Sequence, residues 1–129
     1  MRYLGLFFAL SFYKVLLWLG LPIVYLRLLM RARREPAYAA RRGERFGRVP
    51  DAIKSGAIWF HTVSAGESIA AAPLINKMID NLPQQNFLVT TMTPTGSEQV
   101  HLHLSHSVDH CYAPYDFTFA VRSFLRKTQ

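Results

Sequence analysis

The sequence predicts an α/β protein in which an apolar N-terminal helix leads, through a basic segment, into an open parallel sheet. Three observations predict it: a 24-residue apolar run from Tyr3 to Leu26, a cluster of arginines directly after it, and three successive units of apolar strand, polar turn and helix. At 129 residues the chain accommodates one small domain. Half of it is apolar, with nine Phe, six Tyr and two Trp, a composition that excludes intrinsic disorder. The lone Cys111 excludes a disulfide-stapled scaffold and Cys-based zinc modules, and it fits a reducing compartment.

The first element carries one charge, Lys14, near its middle, and Pro22 toward its end. An apolar helix of about 20 residues spans the hydrocarbon of a bilayer. A mid-membrane Lys costs about 2.5 to 3.5 kcal/mol, which its long stem reduces by snorkelling, so residues 1–27 read as a membrane-anchor helix, either spanning or monotopic. A core helix would need the rest of the chain to wrap an element that is apolar all round. A cleaved signal peptide would need a small-x-small site after the apolar run, and none follows it before the arginines begin.

The net charge of +7 is unevenly placed: residues 1–50 hold ten basic and two acidic residues, residues 51–129 five and six. Arg27, Arg31, Arg33, Arg34, Arg41, Arg42, Arg45 and Arg48 follow the apolar run, with Arg2 before it. The positive-inside rule therefore places the remainder in the cytoplasm. Residues 28–55 form a basic juxtamembrane segment, either a topology signal or a holder of anionic head groups at about 1 kcal/mol per basic residue. No nucleic-acid motif accompanies the cluster, so nucleic acid is not an expected partner.

After the loop signals Pro50-Asp51 and Lys54-Ser55-Gly56, the first unit has strand Ala57 to Val63, near-continuously apolar as in a parallel strand covered on both faces. Turn Ser64 to Glu67 leads into a helix carrying Ile69, Ala72, Pro73, Ile75, Met78, Ile79 and Leu82, ended by Pro83. The second has strand Phe87 to Met92, turn Thr93 to Gly96 and a helix through Val100, Leu102 and Leu104. The third has a strand around Val108 to Tyr112, turn Ala113 to Asp116, and a helix carrying Phe117, Ala120, Val121, Phe124 and Leu125. Three βα units make the start of a doubly wound domain, and the sequence reads as the front portion of a larger protein.

Ligands of open α/β sheets bind at the carboxyl ends of the strands, so the three turns are where chemistry is sought. Ser64-x-x-Glu67 and Thr95-x-x-Glu98 both fit a capping box, which accounts structurally for either glutamate. Glu67 has a second reading, because Gly66 beside it permits close approach by a ligand and a carboxylate at a strand-end cleft can serve as a general base. Gly66 and Gly96 each stand alone, so neither turn is a dinucleotide or Walker-type phosphate cradle. Ser64 lies in no nucleophile elbow, which disfavours a hydrolase triad with His61. His101, His103 and His106 look like a metal cluster, yet helix residues two apart point to nearly opposite faces, so solvent exposure is expected and no metal site.

Four segments together resemble a known family: Arg42-Gly43-Glu44-Arg45-Phe46-Gly47, Trp59 to Glu67, Thr90 to Glu98, and Tyr112 to Asp116. In this order and spacing they resemble the N-terminal domain of the 3-deoxy-D-manno-octulosonic acid (Kdo) transferases of Gram-negative bacteria. The resemblance covers essentially the whole chain. It implies an inverting glycosyltransferase of the GT-B class with two Rossmann-like domains, on the cytoplasmic face of the inner membrane. Such an enzyme moves Kdo from CMP-Kdo onto a lipid A precursor, lipid IVA, with no cofactor or metal. Residues 56–129 would be a partial Rossmann-like acceptor-side domain, with Glu67 as general base. Ser64, Ala65, Gly66, Thr93, Thr95, Gly96 and Glu98 would line the acceptor side, and Arg42 and Arg45 would pack or contact lipid phosphate. The family's CMP-sugar site lies mainly in a C-terminal domain this chain lacks, so the 129 residues alone are expected to be inactive. The alternative is a truncated non-catalytic membrane protein that binds anionic lipid or pairs with a separate nucleotide-binding half.

Overall fold

A computed structural model describes residues 2–104 and 108–129, and these form two compact units, one ending at Ala40 and one beginning at Arg41. In the first, helix α1 (Arg2–Arg34) runs uninterrupted through Pro22. Its 33 residues rise about 50 Å, and by length and composition it can cross a membrane. Phe7, Phe12, Trp18, Leu19 and Ile23 are each more than half exposed, as an element facing apolar surroundings would leave them. The helix extends past the expected end at residue 27: Arg27, Arg31, Arg33 and Arg34 are good helix formers and continue it, with the basic last turn favourably placed at the negative end of the helix dipole. A 3-10 turn, Pro36–Tyr38, closes the unit, and Arg31 lies over the Tyr38 ring at 5.2 Å.

The second unit holds β1 (Ile58–His61), α2 (Ala65–Asn81), β2 (Phe87–Thr91), α3 (Pro94–His103), β3 (Val108–Tyr112) and α4 (Thr118–Thr128). The three strands are parallel in the order β1-β2-β3, with Ile58 beside Phe87 and Phe87 beside Val108. Successive residues of β2 point to opposite faces, and each face has its own helices. Val89 packs with Ala72 and Ile75 of α2 and Val100 of α3, with Leu104 just beyond it. Leu88 packs with Cys111, Ile53 and Phe124 of α4. Every residue of β2 is buried, as expected of a central parallel strand.

Four expectations are corrected. The globular unit begins at Arg41 rather than 56, because Ile53 joins its core and Glu44 and Arg45 are buried within it. Strand β1 is half-exposed instead of covered on both faces: it sits at the sheet edge, so Trp59 is only partly covered by Phe124 of α4 and His61 faces outward. On α2 the expected core residues Ile69 and Leu82 are exposed, since the helix packs along Ser68, Ala72 and Ile75. On α3, Leu102 is exposed while Val100 is buried.

One glycine is required by close packing in the segment before β1. Gly47 caps a 3-10 turn, Glu44–Phe46, at φ +83°, and a Cβ there would collide with the Ala120 backbone. The same turn is held to the sheet by Glu44, whose Oε2 accepts from the Tyr112 backbone N–H at 2.8 Å.

Candidate active site at the strand ends

The sheet's carboxyl edge keeps pairing after the strands end. The Thr62 N–H donates to the Thr90 carbonyl, Met92 N–H to Val63 and Ala113 N–H to Thr91, at 2.9, 3.2 and 2.9 Å. These bonds bring the turns after β1 and β2 side by side. A Cβ built on Gly96 would stand 3.4 Å from the Ser64 carbonyl carbon and 3.0 Å from Thr93 Oγ1, so the glycine makes the close approach possible.

Ser64 is the N-cap of α2 and Glu67 its third helical residue. The expected capping box does not form; a variant of it takes its place. The Ser64 hydroxyl makes no cap bond to the backbone; it donates to Glu67 Oε1 at 3.2 Å. The other oxygen, Oε2, accepts from the Val63 N–H at 2.9 Å, one residue earlier than a capping box uses. The cap is completed from below by a buried pair, Thr62 Oγ1 and Ser68 Oγ at 2.9 Å, with Ser68 also donating to the Ser64 carbonyl. Glu67 and Gly66 are exposed, and a Cβ on Gly66 would meet nothing within 4 Å. The carboxylate is thus oriented by two donors while facing open space, with lone pairs left to accept a further proton.

The second turn departs from expectation. The N-cap of α3 is Thr93, whose hydroxyl accepts from Gly96 N–H at 3.0 Å, and Pro94 takes the first helical position, where its missing N–H costs nothing. Thr95 lies inside the helix and donates to Thr93, so the predicted box between Thr95 and Glu98 does not form, and Glu98 is exposed on the helix surface. Of the predicted acceptor-side residues, the fold brings Ser64, Ala65, Gly66, Thr93 and Gly96 to one edge with Glu67.

Arg42 is half-buried, and Arg45 is 1% exposed, so the phosphate contact considered for Arg45 is corrected: its guanidinium lies inside, 4.2 Å from the Tyr112 ring centre and 5.8 Å from that of Tyr115. Its Nη1 donates to the Met92 carbonyl at 3.0 Å. No local pattern signals this, because both aromatic partners come from the far end of the chain.

A polar group on β3 also escaped the sequence reading. His110 sits between Thr91 Oγ1 at 3.0 Å, Ser97 Oγ at 3.4 Å and the Arg41 guanidinium at 3.3 Å. Burial, then Arg41, then His101, lower its pKa to about 3, so it is neutral at physiological pH. Arg41, at φ 57°, is held by Glu44 Oε1 at 2.7 Å and donates to the His110 carbonyl. Burial raises Tyr112, and burial with Glu44 pushes the Cys111 thiol up to about 12, which makes it an inert core residue. His101 and His103 are exposed on α3; His106 lies outside the described residues. Among the described residues no three His, Cys, Asp or Glu side chains gather as metal ligands.

Comparison with known proteins decides the family. The model of the family described as 3-Deoxy-D-manno-octulosonic-acid transferase (kdotransferase) matches residues 40–129. The chain belongs to the Kdo transferase family. It is 34% identical over 120 residues to the 3-deoxy-D-manno-octulosonic acid transferase of Haemophilus influenzae, covering 92% of this chain and 28% of that protein. A probable mitochondrial 3-deoxy-D-manno-octulosonic acid transferase of Arabidopsis thaliana is 33% identical over 120 residues, covering 92% and 27%. The Bordetella pertussis transferase is 31% identical over 116 residues, covering 82% and 26%. The chain therefore spans little more than a quarter of the length of these Kdo transferases. No solved structure matches it.

Proposed function

We propose that this chain is the acceptor-side N-terminal portion of an inverting Kdo transferase of the GT-B class, anchored by α1 with its globular unit in the cytoplasm. The complete enzyme would move Kdo from CMP-Kdo onto the lipid A precursor lipid IVA in lipopolysaccharide assembly, with no cofactor or metal of its own. The observation that carries this reading is Glu67: a carboxylate oriented by the Val63 N–H and Ser64 hydroxyl at the sheet's carboxyl edge, facing open space beside Gly66. In the reaction an acceptor hydroxyl attacks the anomeric carbon of Kdo, the bond from that carbon to the CMP phosphate breaks, and the hydroxyl proton passes to Glu67 and then to solvent. The Ser64–Gly66 and Thr93–Gly96 turns would seat the acceptor sugar. The CMP-sugar would be held mainly by a second domain outside these 129 residues.

A second reading has its own observation. Arg27, Arg31, Arg33 and Arg34, with Met30, line an open pocket of about 430 Å³. That is a fitting surface for anionic lipid, in a membrane protein that binds without turnover or pairs with a separate nucleotide-binding half. The test is transfer of labelled Kdo from CMP-Kdo to lipid IVA in detergent, by the complete protein and by the 129 residues alone. The transferase reading expects product from the complete protein only. Lipid IVA binding by a complete protein that makes no product would favour the second reading.

A further inference from the structure

Arg45 presents a physical puzzle. A guanidinium buried to 1% exposure is costly unless its donors are met, yet among the described residues Nε and Nη2 have no hydrogen-bond partner. The neighbouring carboxylate, Glu44, is already engaged by Arg41 and the Tyr112 N–H. The tyrosine rings offset part of the cost, and among the described residues the one directed bond of the side chain is Nη1 to the Met92 carbonyl.

That bond begins a continuous path. Met92, held by its carbonyl to Arg45, donates its own N–H to the Val63 carbonyl at 3.2 Å. Val63 in turn donates its N–H to Glu67 Oε2 at 2.9 Å. Both linking residues lie just past the ends of β1 and β2, joined by the last bond of the pairing between them, and Val63 is 44% exposed, so core packing does not hold its side chain. The other end of the path is firm: the Arg45 carbonyl accepts from Tyr115 N–H at 2.8 Å, and Glu44 grips Tyr112, so the turn carrying Arg45 is fastened to the end of β3.

We infer that Arg45 is a positioning residue, which orients the Glu67 carboxylate through the Met92 and Val63 backbones from inside the domain. The inference rests on the reading of Glu67 as general base and adds a residue that never touches substrate. It also explains why a cation stands where an apolar side chain would pack at lower cost: a long side chain ending in a donor reaches the Met92 carbonyl, and an apolar one offers no hydrogen to it.

The test uses the complete protein in detergent, with kcat and the KM for CMP-Kdo measured well below the thermal midpoint of each variant. Arg45→Met keeps a long unbranched side chain and removes the donor; kcat should fall about tenfold with KM within twofold, because alignment of the base acts on the chemical step. Arg45→Lys, which restores a donor, should recover most of the loss. Arg45→Gln, too short to reach Met92, carries the same expectation as Arg45→Met should that variant fail to fold. Wild-type kcat in a folded Arg45→Met or Arg45→Gln protein overturns the inference, as does a loss that Arg45→Lys fails to recover. Glu67→Gln is the control: if it is inactive while folded Arg45→Met is not, this inference alone fails; if it is fully active, the base assignment fails and this inference with it.

Discussion

The turns after β1 and β2 begin alike, with a hydroxyl residue at the N-cap and a glycine in the first helical turn, and they are built in opposite ways. In the first, the glutamate closes the helix start and the glycine faces open space. In the second, the Thr93 hydroxyl closes it, the glycine is wedged against the neighbouring turn, and the glutamate is left on the helix surface. The second turn is a support and the first is an opening. The comparison teaches that a glutamate near a helix start gains chemical potential when its carboxylate is held in place and its surroundings are empty, and sequence pattern alone does not separate the two cases.

The support has further reinforcement, which gives the largest expected effect on stability. His110 ties Thr91 and Ser97 together in its neutral form, with a pKa near 3 against about 6.5 when unfolded. As pH falls below about 6.5 the unfolded chain takes up the proton first, so this contribution is present above that pH and is lost on descending toward 3. Denaturant unfolding at pH 7 and pH 4 should differ by up to about 3 kcal/mol through this group, and His110→Gln should flatten the dependence.

Next in size is the contrast between glycines. Gly96→Ala forces a Cβ to 3.0 Å from Thr93 Oγ1 and 3.3 Å from Thr91 Cβ, and should cost about 1 to 3 kcal/mol in thermal unfolding. Gly66→Ala meets nothing and should be neutral or stabilising by up to about 1 kcal/mol. Equal costs would erase the distinction between support and opening. The caps give the smallest contrast: Thr93→Ala removes a bond to the helix backbone and should cost about 1 kcal/mol, whereas Ser64→Ala should stay within about 0.5 kcal/mol.

The three βα units were legible because apolar runs and turn chemistry are local properties. The exposure of β1 was not, since a strand's neighbours are set by topology, and a near-continuous apolar run with Trp59 in it reads the same at the sheet edge as at its centre. The start of α3 lies at Pro94 and not at the box Thr95 suggests, and Pro94 itself carries the signal that Thr93 precedes the first helical residue. Glu67 was legible as a candidate, and its geometry was not: the donor that orients it is the backbone of Val63, which any residue but proline supplies. The burial of Arg45 was hidden within a run of arginines that looks uniformly suited to a membrane surface. Its tyrosine partners identify themselves only once β3 is laid beside the rest of the sheet.

The central claim is that Glu67 takes the acceptor proton. The most direct measurement is the initial rate of Kdo transfer from CMP-Kdo to lipid IVA by the complete protein carrying Glu67→Gln, beside Glu98→Gln, with circular dichroism and thermal midpoints confirming that both fold. A loss of about 100-fold or more is expected for Glu67→Gln and a rate within about twofold of wild type for Glu98→Gln. A folded Glu67→Gln protein that transfers Kdo at the wild-type rate would contradict it.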